Sequence, residues 1–174
     1  MICRFSCRGF VVPMTEEICY LGAQDLLAAY RTGSLSPLEV TEAVLGRIEE
    51  YNGLLNCFCL VDPESALQQA RDSEARWSRG EPQGALDGVP VSIKDLVLAK
   101  GWPTLKGSRT INPDQAWDED APVTARLREH GAVILGKTTT PEFGAKGVTE
   151  NPLTGITRNP WNTAKTPGGS SGGG

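Results

Sequence analysis

The sequence predicts an α/β fold in which a parallel pair of strands is flanked by helices. Residues 89–93 alternate apolar with less apolar side chains, which is typical of a strand. Residues 120–130 indicate a helix that Gly131 ends, and residues 132–135 form a short apolar run typical of a buried strand. A strand, a helix and a second strand, separated by glycines, predict an α/β unit with parallel strands. The 20 glycines and 12 prolines suit a loop-rich protein better than a helical bundle.

Local signals predict three helices and a short strand in the first half of the chain. A helix is expected over 24–31, with its end at Gly33, and a capping box that starts at Ser36 opens a longer helix. Residues 57–61 indicate a strand. A third helix is expected over 63–79, and its polar composition predicts a position on the surface.

The first 13 residues differ in character from the rest of the chain. Arg4 and Arg8 resemble the charged start of a signal peptide, but the apolar stretch that follows is too short and Pro13 interrupts it. We expect residues 1–13 to come from an upstream start-site assignment or to form a disordered extension. The folded domain is therefore expected over 14–174.

Composition excludes several classes of function. A chain of 174 residues is long enough for one domain with a sizeable core. The net charge of −4 and the lack of a basic stripe argue against nucleic-acid binding, and no apolar run approaches the roughly 20 residues of a membrane span. The five cysteines fit no zinc pattern, which favours free thiols in a reducing compartment. We expect a cytoplasmic protein without a metal or other cofactor.

Lys94, Lys137 and His130 lie at or just after the ends of predicted strands and helices, and each is a candidate for chemistry. Lys94 falls at the carboxyl end of the first predicted parallel strand, where α/β sheets bind ligands, and burial there would lower its pKa toward that of a usable base. A lysine whose charge reaches solvent is the alternative. Lys137 lacks the glycine spacing of a phosphate-binding loop, and we interpret it as a strand-end lysine that faces the sheet edge. His130 suits a helix C-terminus better than a Ser-His-Asp triad.

The chain ends in a run of glycines around two serines. Five of the last seven residues are glycine, and such a run by itself is typical of a flexible linker. Together with Lys94, however, Ser170 provides a base and a hydroxyl relay that need no histidine. The run is therefore also a candidate active-site loop.

Four segments then carry a resemblance to the amidase signature family. They are GVPVSIKD at 88–95, GKTT at 136–139, TRNPWN at 157–162 and PGGSSGG at 167–173, in the order and spacing of that family. The resemblance runs from about residue 24 to the end. It implies an α/β fold with a mixed or parallel sheet flanked by helices, present here only as its N-terminal portion.

The resemblance also implies a Ser–cis-Ser–Lys triad. Lys94 resembles the catalytic lysine, and Ser170 resembles the bridging serine, with a cis peptide on its N-terminal side. Ser171 would support the site by hydrogen bonding, and Gly169 would allow a close approach of the backbone.

The resemblance also concerns the substrate pocket and the nucleophile. Phe143 and Gly144 are expected to line the substrate pocket. The nucleophilic serine of the family lies in an Asp-x-Gly-Gly-Ser segment that residues 1–174 do not contain. We therefore expect an N-terminal part of an amidase, truncated before the nucleophile and inactive alone.

Three functions remain open. The first is hydrolysis of a small or aryl amide to an acid and ammonia or an amine. The second is that of the glutamine-hydrolysing component of a tRNA-dependent amidotransferase, but TTPEFG at 139–144 replaces the Asn-Met-Asp-Glu-Phe-Ala-Met-like run usual in those proteins. The third is amide binding without turnover. We expect a small-molecule amide as substrate and no nucleic-acid or membrane partner. The complete protein could form a homodimer.

Overall fold

A computed structural model describes residues 15–174 of the chain. The expectations for residues 1–13 lie outside these described residues. The main helices and strands are, in chain order, α1 (Thr15–Ile18), α2 (Ala23–Thr32), α3 (Pro37–Leu55), β1 (Phe58–Val61), α4 (Pro63–Ser78), β2 (Pro90–Lys94), α5 (Pro122–Glu129), β3 (Val133–Thr138), β4 (Glu150–Asn151) and β5 (Gly155–Ile156). A short 3-10 helix spans Glu142–Gly144.

The main sheet has three strands in the order β1-β3-β2. β2 runs parallel to β3, as the strand-helix-strand pattern predicts, and β1 runs antiparallel to β3. The predicted mixed α/β fold is thus confirmed. β3 is longer than its apolar run suggests, because both β1 and β2 pair with its second half, through Lys137 to Thr138.

Helices cover one face of this sheet. α4 packs against both α3 and β3, and Ala66 and Ala70 are fully buried against Val133 and Leu135. α4 therefore lies at the surface, as its polar composition predicts, with one face buried against the sheet. Its small alanines hide that face from a composition-based prediction, because they permit close packing without adding a marked apolar stripe.

The other sheet face has its own core. Ile134 alternates in direction with its strand neighbours and packs with Ile93, Ala99 and Trp102. Trp102 belongs to the long segment between β2 and α5, which therefore folds back over the sheet. This arrangement leaves the carboxyl end of β2 beside loop residues that follow β3.

Helix ends agree with the local signals. Ser36 Oγ accepts a hydrogen bond from Glu39 N at 3.2 Å, and Ser36 N donates to Glu39 Oε2 at 2.7 Å, which completes the predicted capping box of α3. α2 ends at Gly33 in the left-handed conformation, with φ 68°. Among residues 15–174, no helix combines the length and the apolarity that crossing a membrane requires.

Candidate active site

Lys94 and the two serines of the terminal loop lie in direct contact. The Lys94 Nζ donates to Ser170 Oγ at 2.8 Å and to Ser171 Oγ at 3.0 Å. Lys94 is the last residue of β2, and 76 positions separate it from Ser170 in the chain. The fold thus brings together the lysine and the serines that the sequence singles out.

Burial changes the chemistry of this lysine. The Lys94 side chain is half-buried, and the loss of hydration lowers its pKa from the ordinary lysine range. A lower pKa makes the neutral amine accessible closer to neutral pH. The neutral amine can accept a proton from a hydroxyl at the observed distance, which is the property of a general base.

The terminal loop is closely packed against the rest of the chain. The peptide bond between Gly169 and Ser170 is cis, which is the geometry that the resemblance implies. A Cβ on Gly169 would come within 2.9 Å of the carbonyl oxygen of Lys146, and one on Gly173 would come within 2.4 Å of the carbonyl oxygen of Cys57. Side chains at these positions would therefore push the loop away from its neighbours.

Two buried threonines form hydrogen bonds to the backbone of the loop, and sequence reasoning missed both. Thr149 Oγ1 donates to the Gly168 carbonyl at 2.8 Å and accepts from Gly172 N at 3.1 Å. Thr140 Oγ1 donates to the Ser170 carbonyl at 3.2 Å. Threonine is common in loops, so nothing in the local sequence marks these two hydroxyls as partners of a segment about 20 or 30 residues away.

Lys137 does not face the sheet edge, contrary to the expectation from its position. Its side chain is fully buried, and its Nζ lies 3.0 Å from Asp95 Oδ1. The Nζ also donates to Thr104 Oγ1 at 2.5 Å and to the Pro103 carbonyl at 3.0 Å. Burial lowers the pKa of Lys137, and the Asp95 carboxylate opposes that shift. This ion pair is a buried structural element, since no part of Lys137 reaches solvent.

Phe143, Gly144 and His130 are the other residues that the sequence singled out. Gly144 packs close to Leu96, two residues beyond Lys94, since an added Cβ would approach Leu96 Cδ1 to 2.6 Å. The neighbouring Phe143 is 53% exposed and has a positive φ of 49°. A pocket-lining role for these two residues stays a prediction. His130 follows α5 as expected, and its Nδ1 accepts a hydrogen bond from Ala85 N at 3.2 Å.

Comparisons with known proteins agree on one family. The family model described as Amidase matches residues 39–174. The chain is 46% identical over 159 residues to the A subunit of the glutamyl-tRNA(Gln) amidotransferase of Thermobifida fusca (strain YX). This match covers 90% of this chain and 31% of the relative. It is 41% identical over 151 residues to an indoleacetamide hydrolase of Bradyrhizobium diazoefficiens, which covers 87% of this chain and 29% of the relative.

Solved structures give the same result. A bacterial aryl acylamidase of the amidase signature enzymes superposes with a TM-score of 0.84 at 32% identity, over 90% of this chain and 33% of that one. A peptide amidase from Stenotrophomonas maltophilia superposes with a TM-score of 0.81 at 30% identity, over 88% and 33% of the two chains. The chain thus spans about a third of the length of the relatives it matches.

Proposed function

Because the chain belongs to the amidase signature family, we propose that it is the N-terminal part of an amidase that hydrolyses a carboxylic amide to an acid and ammonia or an amine. In this proposal Lys94 is the general base and Ser170 is a hydroxyl relay. The observation that carries it is the 2.8 Å contact between Lys94 Nζ and Ser170 Oγ. A lysine whose pKa is lowered, in contact with a serine, suits proton transfer without a histidine.

The reaction begins with two linked proton transfers. The neutral Lys94 amine takes the proton of Ser170 Oγ, and this oxygen takes the proton of a nucleophilic serine, whose oxygen then attacks the amide carbonyl carbon. We place that nucleophile, and the backbone N–H groups that stabilise the oxyanion, in a part of the amidase outside residues 1–174. Ser171 contributes a second acceptor that keeps the Lys94 amine oriented toward the relay.

The same relay completes the reaction. Collapse of the tetrahedral intermediate breaks the carbon–nitrogen bond, and the proton held by Lys94 returns through Ser170 to the leaving nitrogen. Water then loses a proton to the same pair and attacks the carbonyl carbon of the acyl-serine ester. Collapse of this second tetrahedral intermediate releases the acid, and the proton returns through Ser170 to the oxygen of the nucleophilic serine. The complete cycle leaves Lys94 and Ser170 as they began, so the pair acts catalytically.

The test compares variants of the amidase that contains this chain. Lys94→Ala and Ser170→Ala are each expected to lower kcat by at least about 1,000-fold, as loss of one member of such a triad does. Lys100→Ala and Ser78→Ala are matched controls, because both residues are exposed and distant in sequence from the loop. We expect the controls to keep wild-type kcat and all four variants to keep the circular dichroism of the folded protein.

Two results would contradict the assignment. Wild-type turnover in either site variant would remove that residue from the reaction. Turnover by residues 1–174 alone would show that the nucleophile lies within this chain. Amide binding without turnover in the complete protein would instead favour a non-catalytic domain.

A second candidate function is glutamine hydrolysis within a tRNA-dependent amidotransferase. The 46% identity to the Thermobifida fusca protein favours it. The replacement of the usual run at 139–144 favours a general amidase instead. Assays with glutamine, and separately with an aryl amide, distinguish the two. Hydrolysis of glutamine but not of the aryl amide would select the amidotransferase component.

A further inference from the structure

The hydroxyl of Thr149 joins the two ends of the loop that carries Ser170. We propose that Thr149 is a positioning residue, whose hydroxyl sets the distance between Ser170 and Lys94. This inference rests on the proposed relay role of Ser170. It assigns a role to a side chain that is itself 1% exposed and in a segment far from the motif of the loop.

Both hydrogen-bonding capacities of the Thr149 hydroxyl are used on this loop. The O–H donates to the Gly168 carbonyl at 2.8 Å, and the oxygen accepts from Gly172 N at 3.1 Å. Ser170 and Ser171 lie between these two attachment points. One side chain therefore fixes the entry and the exit of the segment that contacts Lys94.

The backbone of the loop packs directly against this hydroxyl and its neighbours. A Cβ on Gly172 would lie 2.2 Å from Thr149 Oγ1, so the loop backbone rests directly on the threonine. A Cβ on Gly169 would lie 2.9 Å from Val148 N, beside the same threonine. The glycines of the loop thus permit contact with the segment that presents the Thr149 hydroxyl.

The segment that carries Thr149 is itself held in place. The Thr149 carbonyl accepts from Thr157 N at 3.0 Å, next to the β4–β5 hairpin. The Asn151 amide donates to the Thr140 carbonyl at 2.7 Å, and Thr140 Oγ1 donates to the Ser170 carbonyl at 3.2 Å. The loop therefore packs on a segment that is itself held by hydrogen bonds, and Thr149 makes two hydrogen bonds to the loop.

A Thr149→Val variant separates the hydroxyl from the bulk of the side chain. Valine has nearly the same shape, but it leaves the Gly168 carbonyl and Gly172 N without their partner. Thr149→Ser keeps the hydroxyl and removes only a methyl group. The matched control is Thr124→Val, because Thr124 is also fully buried and donates to a carbonyl, that of Leu98 at 2.7 Å, in the unrelated helix α5.

The first measurement is amide hydrogen exchange, resolved by residue with NMR, on the amidase that contains this chain. In Thr149→Val we expect the Gly172 amide to exchange about 5- to 30-fold faster, which corresponds to the loss of one or two hydrogen bonds. Thr149→Ser and Thr124→Val should leave this amide as in the wild type. Unchanged exchange in Thr149→Val, or equal acceleration in Thr124→Val, would overturn the inference whatever reaction the protein catalyses.

The second measurement is the kinetics of the amidase that contains this chain. Thr149→Val is expected to lower kcat by about 100-fold, as displacement of a reacting group by about 1 Å does, with KM unchanged because buried Thr149 does not reach substrate. A looser loop would also admit water to Lys94, so the acid limb of the pH profile should move to higher pH. Thr149→Ser should restore both properties.

The outcomes separate the two proposals. If Ser170→Ala abolishes turnover but Thr149→Val retains wild-type kcat and pH profile, the positioning role is wrong and the relay stands. If Ser170→Ala itself retains turnover, the proposed function fails. A change of KM alone in Thr149→Val would also contradict a positioning role.

Discussion

Removal of the buried charge of Lys137 should be among the most destabilising single changes in this fold. Lys137→Met keeps the length of the side chain but deletes the ammonium group that lies 3.0 Å from Asp95 Oδ1. Among residues 15–174, the donors that then remain to the Asp95 carboxylate are two backbone groups, Leu105 N at 3.2 Å and Gly107 N at 3.2 Å. Asp95 is 4% exposed, so water cannot replace the lost cation.

The magnitude follows from the burial of both groups. Breaking a buried ion pair by removing one partner costs about 3–5 kcal/mol, and the two remaining backbone donors place the expected loss at the lower end, about 3 kcal/mol. With a urea dependence of about 1–3 kcal/mol per molar, the unfolding midpoint should fall by about 1–3 M. Tryptophan fluorescence during urea titration measures this shift, since Trp102 packs in the core beside β2 and β3.

An exposed lysine provides the control for this variant. Lys146 pairs with Glu150 at 3.2 Å, but both side chains are half-exposed, so Lys146→Met should change the free energy of unfolding by less than about 1 kcal/mol. The double variant Asp95→Asn with Lys137→Met removes both charges and should recover part of the loss. A loss for Lys137→Met no greater than for Lys146→Met would refute this account, and so would a double variant less stable than the single one.

Three further predictions concern the sheet, a thiol and the proposed base. Gly136→Ala should lower the free energy of unfolding by about 3 kcal/mol in a urea titration, because the new Cβ would lie 2.1 Å from the Leu60 carbonyl oxygen and force β1 away from β3. Gly46→Ala in α3 meets no neighbour and should raise it by up to about 1 kcal/mol; equal effects of the two variants would contradict this packing. Burial raises the pKa of Cys59 to about 12, so mass spectrometry should find this thiol unmodified by a disulfide reagent at pH 8 until urea is added. Lys94 must be neutral to accept a proton, and burial lowers its pKa. The kcat/KM of the amidase that contains this chain should therefore rise with pH, with a midpoint below the ordinary lysine pKa of 10.5. A midpoint at or above that value would argue against Lys94 as the base.

Local signals predicted most of the secondary structure, because helix ends and strand alternation depend on neighbouring residues. The capping box at Ser36 and the left-handed Gly33 both occur as the sequence indicates. The alternation over 89–93 predicted β2 and placed Lys94 at its carboxyl end. β3 was predicted too short, because its last residues are held in the strand by pairing with β1 and β2, which a local pattern does not reveal.

Long-range contacts explain the two main misses at the candidate site. Lys137 follows an apolar run and was expected at the sheet edge, yet its countercharge Asp95 comes from another strand end. Thr149 carries no motif, and its partners Gly168 and Gly172 lie about 20 residues further on. A buried polar group is satisfied by whatever the fold places beside it, so its partners are not encoded by spacing.

The sequence by itself determined the family, the order of the main elements and the residues Lys94 and Ser170, since each of these depends on motifs and local periodicity. Only the tertiary structure decided that the two side chains meet at 2.8 Å, that Lys137 and Asp95 form a buried ion pair and that Thr149 holds the loop. Hydrogen bonds and buried charges act over a few ångströms. Their partners are therefore chosen by packing, after the chain has brought distant segments together.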